Sequence, residues 1–233
     1  MDCDILALQE IGSRAALDDL LALLRQRGRD YPHIEWVART DQSELNLALL
    51  SRWPITASRP RLLDTYTIGG VTQPVLRGFL DVELDLGANQ TLRVIVAHLK
   101  SRVFHPLGQT EMRRNEARLL AGHVRRALRD SPDAWLLVLG DLNDTPHSAP
   151  IRLLLGNPSE IQLIDLRPED GPAGVWTWGS RATDEYTRLD YLLASPALAR
   201  RIVGAPRVVR DPPAARASDH RPVLAHFRLR EAR

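Results

Sequence analysis

The sequence predicts an α/β (α+β) chain in which packed β-sheets carry helices on their outer faces. Candidate strands outnumber candidate helices, and the two long helical patterns lie far apart, at 14–28 and 108–129. A single doubly wound sheet would place a helix after nearly every strand, which this pattern does not do. The 233 residues are 44% hydrophobic and 26% charged, enough to bury a substantial core and incompatible with global disorder.

The run 4–8 is a short apolar segment that reads as a buried strand ending at Gln9-Glu10. Ser13 then suits an N-cap. Leu17, Leu20, Leu21 and Leu24 recur at helical spacing, and Gly28 closes the helix. From 34 to 99 the pattern is that of strands, at 34–38, 45–51, 55–63, 75–86 and 91–99, with turns at Gly69-Gly70 and Gly87-Ala88-Asn89. The β-branched run 93–98 reads as a central strand. The helix at 108–129 is predicted to bury Met112, Leu119, Leu120, His123, Val124, Ala127 and Leu128.

A buried strand at 135–139 runs into the loop 140–146, and a short helix follows near 149–155. Short strands at 175–178, 189–194, 202–209 and 222–229 complete the chain, with 211–213 as a Pro-rich surface loop. No internal repeat, low-complexity tract or linker interrupts it, so 1–233 reads as a single domain. The longest apolar stretches, such as 135–139, fall far short of the roughly 20 residues of a membrane-spanning helix.

The formal net charge is +2, which permits a polyanionic partner without demanding one. Cys3 is the single cysteine, so no intrachain disulfide forms. A cytoplasmic location is favoured, with secretion left open. Of 31 basic residues only Lys100 is lysine. A position that keeps a compact ammonium among guanidinium groups invites a specific role, although a chance survivor would look the same.

Several strand ends carry polar residues: Glu10 after 4–8, His98 and Lys100 on 91–99, and Asp141 and Asn143 after 135–139. Asp190 opens 189–194, and Asp219-His220 precedes the last strand. Rigid strands that present polar groups at their ends make a site of fixed geometry. Singly, each has a structural role open to it. Glu10 suits a helix N-terminus and Gly140–Asn143 an Asx-bonded turn. Asp190 suits a pair with Arg188, Asp219 a turn cap, and His98 a structural hydrogen bond.

Taken together, Leu-Gln-Glu, His-Leu-Lys-Ser, Gly-Asp-Leu-Asn, Arg-Leu-Asp-Tyr and Ser-Asp-His occur in this order along the chain. This resembles the endonuclease/exonuclease/phosphatase superfamily, the deoxyribonuclease-I-like phosphoesterases, over nearly the whole length. Residues 46–52 and Pro54-Ile55 match that family's second hairpin. The resemblance implies a four-layer α/β sandwich of two packed, mostly antiparallel sheets flanked by helices. It also implies hydrolysis of phosphoesters with Mg²⁺ or Mn²⁺. A hard divalent cation offsets the phosphate charge that would repel an anionic nucleophile, and it suits carboxylate ligands.

On this resemblance Glu10 is the main metal ligand and Asp219 lies near or on the metal. Asp141 orients and deprotonates the attacking water, and Asn143 holds phosphate and water in line. His220, oriented by Asp190, contacts a non-bridging oxygen. His98 is a second phosphate contact or a proton donor. Lys100 reaches the phosphate or leaving group, and Asn46 lies on the substrate side. Arg113 is a weaker candidate, since a solvated helix arginine is the usual case. Trp178 and Tyr186 resemble the aromatic-bearing loops of DNA-repair members, where aromatics stack on bases. Trp176 and Trp178 also alternate as strand residues do, which would place one of them in the core.

Family members normally begin with an asparagine-bearing strand and a helix ahead of the Leu-Gln-Glu strand. Met1 lies only nine residues before Glu10, so the chain reads as N-terminally incomplete. In this form it is expected to be a weak catalyst, with an open sheet edge that favours self-association. Nucleic acid is the expected substrate, and no stable protein partner is implied. The alternatives are a small or lipid phosphoester, of the inositol phosphate or sphingomyelin type, and a binding protein that kept the fold without the activity.

Overall fold

The computed structural model describes residues 2–38, 44–157, 162–169, 174–180, 182–211 and 214–229. β1 (Ile5–Ile11) leads to α1 (Arg14–Gln26), which Ser13 caps by accepting the Ala16 N–H at 3.1 Å. β2 (His33–Val37) and β3 (Asn46–Ser51) complete a three-stranded antiparallel sheet of order β1-β3-β2. β4 (Ile55–Ser58), the hairpin β5 (Thr65–Ile68) and β6 (Val71–Pro74), β7 (Phe79–Asp85) and β8 (Thr91–His98) follow. Then come α2 (Gln109–Asp130), β9 (Trp135–Asp141), α3 (Ala149–Leu155) and β10 (Ile164–Asp165). The small elements β11 (Trp178–Ser180), β12 (Glu185–Thr187), β13 (Asp190–Ala194), α4 (Pro196–Ala199), β14 (Arg207–Val208), α5 (Ala214–Ala217) and β15 (Val223–Leu224) close the chain.

The larger sheet runs β10-β13-β9-β8-β7-β4. Side-chain alternation on the strands of both sheets divides the interior into three cores. On β3, Ala48 and Leu50 pack under α1 with Leu17 and Leu21, while Leu47 and Leu49 face the second sheet with Val82, Val94 and Val96. On β8, Ile95 and Ala97 point the other way, onto Met112, Ala117 and Leu120 of α2. The result is the expected four-layer sandwich of helix, sheet, sheet and helix.

Several elements depart from the sequence reading. The strand expected at 55–63 stops at Ser58, just short of Pro60, which has no N–H for a ladder. The strand expected at 75–86 begins only at Phe79, because Gly78 turns the chain at φ 67°. Gly69 and Gly70 do form a turn, at φ 56° and 80°, but it joins a separate hairpin that the sequence reading did not contain. The strand expected at 175–178 is displaced to Trp178–Ser180, and those expected at 202–209 and 222–229 shrink to Arg207–Val208 and Val223–Leu224. Among the described residues only isolated bridges supplement them, Trp178 to His220 and Ile202 to Phe227. Of the expected loop at 211–213, residues 212 and 213 lie outside the described residues.

Candidate active site

Three neighbouring strands bring the site together at one end of the larger sheet. β8 and β9 are parallel and place His98 opposite Asp141, and β13, antiparallel to β9, places Asp190 opposite the same Asp141. Cross-strand partners share a face, so the three side chains form a row. Gly140 makes the close approach of β8 and β9 possible. It sits at φ 129°, and a Cβ there would lie 2.1 Å from the Ala97 carbonyl oxygen.

Asp141 is the centre of the row. Its Oδ1 accepts the Asn143 backbone N–H at 2.8 Å and its Oδ2 accepts the Asn143 amide at 2.9 Å. Asn143 holds this pose at φ 54° and donates also to Leu99 O at 3.0 Å. Around Asp141 Oδ2 stand His98 Nε2 at 3.5 Å and His220 Nε2 at 3.9 Å. His220 Nδ1 meets Asp190 Oδ2 at 2.8 Å. Asp190, open to a pair with Arg188 on sequence grounds, pairs with this histidine, while Arg188 pairs with Asp165.

The charges follow from these contacts. Burial and the Asp190 charge push the Asp141 carboxyl up to about 7, against the opposing pull of His220. Burial alone would lower His220, but the bond to Asp190 and the charges of Asp141 and Asp219 outweigh it and hold it at about 9. Burial drives His98 well below its ordinary value, helped by the positive charges of Arg77 and His220, so His98 is neutral. The site therefore pairs one imidazolium with one neutral imidazole across a single carboxyl group.

Glu10 lies at a bulge of β1, where the register with β3 shifts between Leu8 and Ile11, and its own φ is 57°. The bulge turns the side chain out of the sheet, leaving it 59% exposed with Oε1 3.8 Å from His98 Nε2. It makes no hydrogen bond among the described residues. Asn46, opposite Ile11, donates its amide to Ile11 O at 2.9 Å and so fastens this bulge. Asp219 Oδ2 accepts the Trp178 Nε1–H at 2.8 Å.

Ligand atoms of Asp141, Asp190 and His220 all lie within 4.8 Å of one another. Carboxylate oxygens with one imidazole are the donor set of a hard divalent cation, and the unbonded Glu10 carboxylate beside them adds to it. His220 is the weakest donor of the set: one nitrogen is bonded to Asp190 and the ring is protonated at neutral pH. The residues present fit a divalent metal bound mainly by carboxylates.

Lys100 and Arg113 are built in more deeply than the sequence reading allowed. Lys100 Nζ donates to Ser101 Oγ at 3.0 Å, Val103 O at 3.3 Å and Ser101 O at 3.4 Å. Arg113 is not a solvated helix residue. It is 4% exposed, bonds Asp144 at 2.8 Å and donates to Lys100 O at 3.1 Å. Neither Trp176 nor Trp178 is in the core; the buried residue between them is Thr177, whose Oγ1 accepts the N–H groups of Leu189 and Asp190 at 3.0 Å each. Trp176 instead packs on Tyr186, with ring centroids 4.8 Å apart, under the guanidinium of Arg221 at 3.6 Å.

The sequence reading missed Thr177 and Arg77. Arg77 is 7% exposed, donates to Leu99 O at 3.4 Å and acts electrically on His98. A lone arginine between apolar Val75-Leu76 and Gly78-Phe79, at a strand start, was the available signal.

This fold and row of acids and histidines define a phosphoesterase architecture, and the comparisons agree. Residues 1–220 match the model of the Endonuclease/Exonuclease/phosphatase family, and the chain belongs to that family. Its hydrolases act on phosphoester bonds and depend on a divalent metal. No curated protein gives a significant match. Among solved structures, the 3′ phosphatase NExo from Neisseria, bound to a product DNA hairpin, is similar at TM-score 0.68 and 20% identity. The alignment covers 97% of this chain and 89% of that one. Truncated TDP2 from Caenorhabditis elegans aligns at TM-score 0.66 and 18% identity over 94% and 82%. Sphingomyelinase C from Streptomyces griseocarneus aligns at 0.58 and 20% over 95% and 82%.

Proposed function

We propose that the chain is a Mg²⁺- or Mn²⁺-dependent phosphodiesterase acting on nucleic acid. The observation that carries the reading is the row His98–Asp141–Asp190 with His220 closing it, since two carboxylates, an imidazolium and a neutral imidazole converge there. Asp141, poised near neutral pH, takes the proton of the attacking water, and Asn143 fixes the orientation of its carboxylate. His220, charged and held by Asp190, donates to a non-bridging oxygen and stabilises charge as it develops. His98, neutral and buried, contacts the phosphate by a hydrogen bond; held in the neutral form, it carries no acidic proton for the leaving group.

Glu10, beside the carboxylates of Asp141 and Asp190, would hold the metal, with Asp219, adjacent to His220 in the chain, as a further carboxylate; the ion would supply neutralisation of phosphate charge. Trp178 steadies Asp219 through its indole N–H. For the substrate, the cluster of Trp176, Tyr186 and Arg221 next to His220 alternates aromatic faces with positive charge, a composition that suits bases and phosphates.

The test is Mn²⁺-dependent hydrolysis of bis-p-nitrophenyl phosphate, followed by DNA and RNA oligonucleotides, inositol phosphates and sphingomyelin vesicles. Metal-dependent cleavage of the diester and of an oligonucleotide is expected. Cleavage confined to the lipid or the inositol phosphates would overturn the nucleic-acid assignment. No cleavage of any of them would leave a fold-retaining binding protein.

A further inference from the structure

The turn after β8 is held more tightly than a connecting loop requires. Leu99 O accepts from Arg77 and Asn143, Lys100 N donates to Glu116 at 2.6 Å, and Arg113 donates to Lys100 O and Ser101 O. Lys100 Nζ then closes onto Ser101 and Val103. At the far end, His105 N donates to Gln109 Oε1 at 3.2 Å and Gly108 N to His105 O at 2.8 Å. Between the two anchored ends stands a short exposed tip, Arg102-Val103-Phe104, with Val103 72% and Phe104 80% exposed. An apolar tip on a mobile loop would fold back onto the surface. This one is braced from below by buried charged groups.

The brace also accounts for the lone lysine. Three acceptors around one short turn need a compact ammonium with divergent donors, and the planar fork of arginine does not match them. The turn starts at the site: Leu99 N donates to Asp141 O at 3.0 Å and Leu99 O accepts from Asn143, and the tip follows on from there. β13 lies across β9 from β8; Trp176 and Tyr186 come before it in the chain, and Arg221, one residue after His220, stacks on Trp176. Two exposed apolar side chains beside an arginine are too small a patch to seat in a bilayer, but they suit a flat base carried on a phosphate chain.

We propose that Phe104 stacks on a nucleobase next to the scissile phosphate, with Arg102 on the adjoining backbone and Lys100 as the positioning residue that keeps the tip erect. The proposal rests on the nucleic-acid reading above and deepens it. The test compares wild type, Phe104→Ala and Phe104→Trp, using anisotropy of a labelled single-stranded DNA oligonucleotide and the ratio of kcat/KM on that oligonucleotide to kcat/KM on bis-p-nitrophenyl phosphate. Stacking worth about 1–3 kcal/mol per base predicts a fall of roughly 5–150-fold in affinity and in the ratio for Phe104→Ala, with Phe104→Trp near wild type.

Lys100→Met should expose the bond after Arg102 to trypsin several-fold faster and lower the same ratio. An unchanged ratio and affinity in Phe104→Ala, with both substrates cleaved, overturns the proposal and leaves the phosphodiesterase reading intact. If wild type cleaves neither substrate, that reading fails and the anisotropy alone decides the tip. A loss in Phe104→Ala seen only on sphingomyelin vesicles would make the tip a lipid contact and overturn the proposal.

Discussion

Burial and the Asp190 charge raise the Asp141 carboxyl to about 7, while His220 and the Asn143 N–H pull it back. A group so placed changes protonation state near neutral pH, as a general base must. Asp141→Asn should lower kcat about 10²–10⁴-fold with a small change in KM. A structural aspartate would instead show a lower Tm and a near-normal kcat. His220 is held at about 9, above its ordinary 6.5, after burial is outweighed by Asp190. The raised value means the pair stabilises the fold fully below about 6.5, and this contribution is lost as pH rises through about 9. Hydrolysis should fall over the same basic range. Asp190→Asn should move that limb down toward 6.5, and its deficit in Tm should be largest below 6.5 and smallest above 9. A basic limb that does not move would remove His220 from the mechanism.

At the scale of elements, the site depends on register. His98 faces Asp141 only because β8 and β9 approach closely at Ala97 and Gly140. Gly140→Ala puts a Cβ 2.1 Å from a backbone oxygen at φ 129°, and neither can yield cheaply. Loss of several kcal/mol, of the order set by overpacking and backbone strain, is expected in denaturant unfolding, together with loss of activity. An alanine variant with wild-type Cm and rate would show that the register is not fixed there. The elements that were legible carry local signals: Ser13 and Gly28 bracket α1, and the β-branched run before His98 is the central β8. Those misread lacked them. The strand at 55–63 ends beside Pro60, and the hairpin around Gly69-Gly70 has exposed, weakly alternating strands.

Across the whole molecule, the order of the motifs was readable because each sits at a strand end, and the sheet gathers those ends. What the sequence could not reveal was where donors and charges go after folding. Lys100 and Arg113 brace a turn, Thr177 binds two backbone N–H groups, and Arg77 lies buried beside the row. The Lys100 bonds are local, but Thr177 reaches 12 and 13 residues along the chain, Arg113 reaches 13 and Arg77 reaches 22, contacts set by packing rather than by neighbours in sequence. Together they rest the account on one claim: an exposed carboxylate at the β1 bulge completes a metal site next to Asp141. The direct measurement is the Mn²⁺ dependence of bis-p-nitrophenyl phosphate hydrolysis by wild type and Glu10→Gln, with EDTA as control. The account predicts activity that EDTA abolishes and a Glu10→Gln variant weakened roughly 10–100-fold in metal affinity or rate. Hydrolysis that survives EDTA, or a Glu10→Gln titration that overlays wild type, would contradict it.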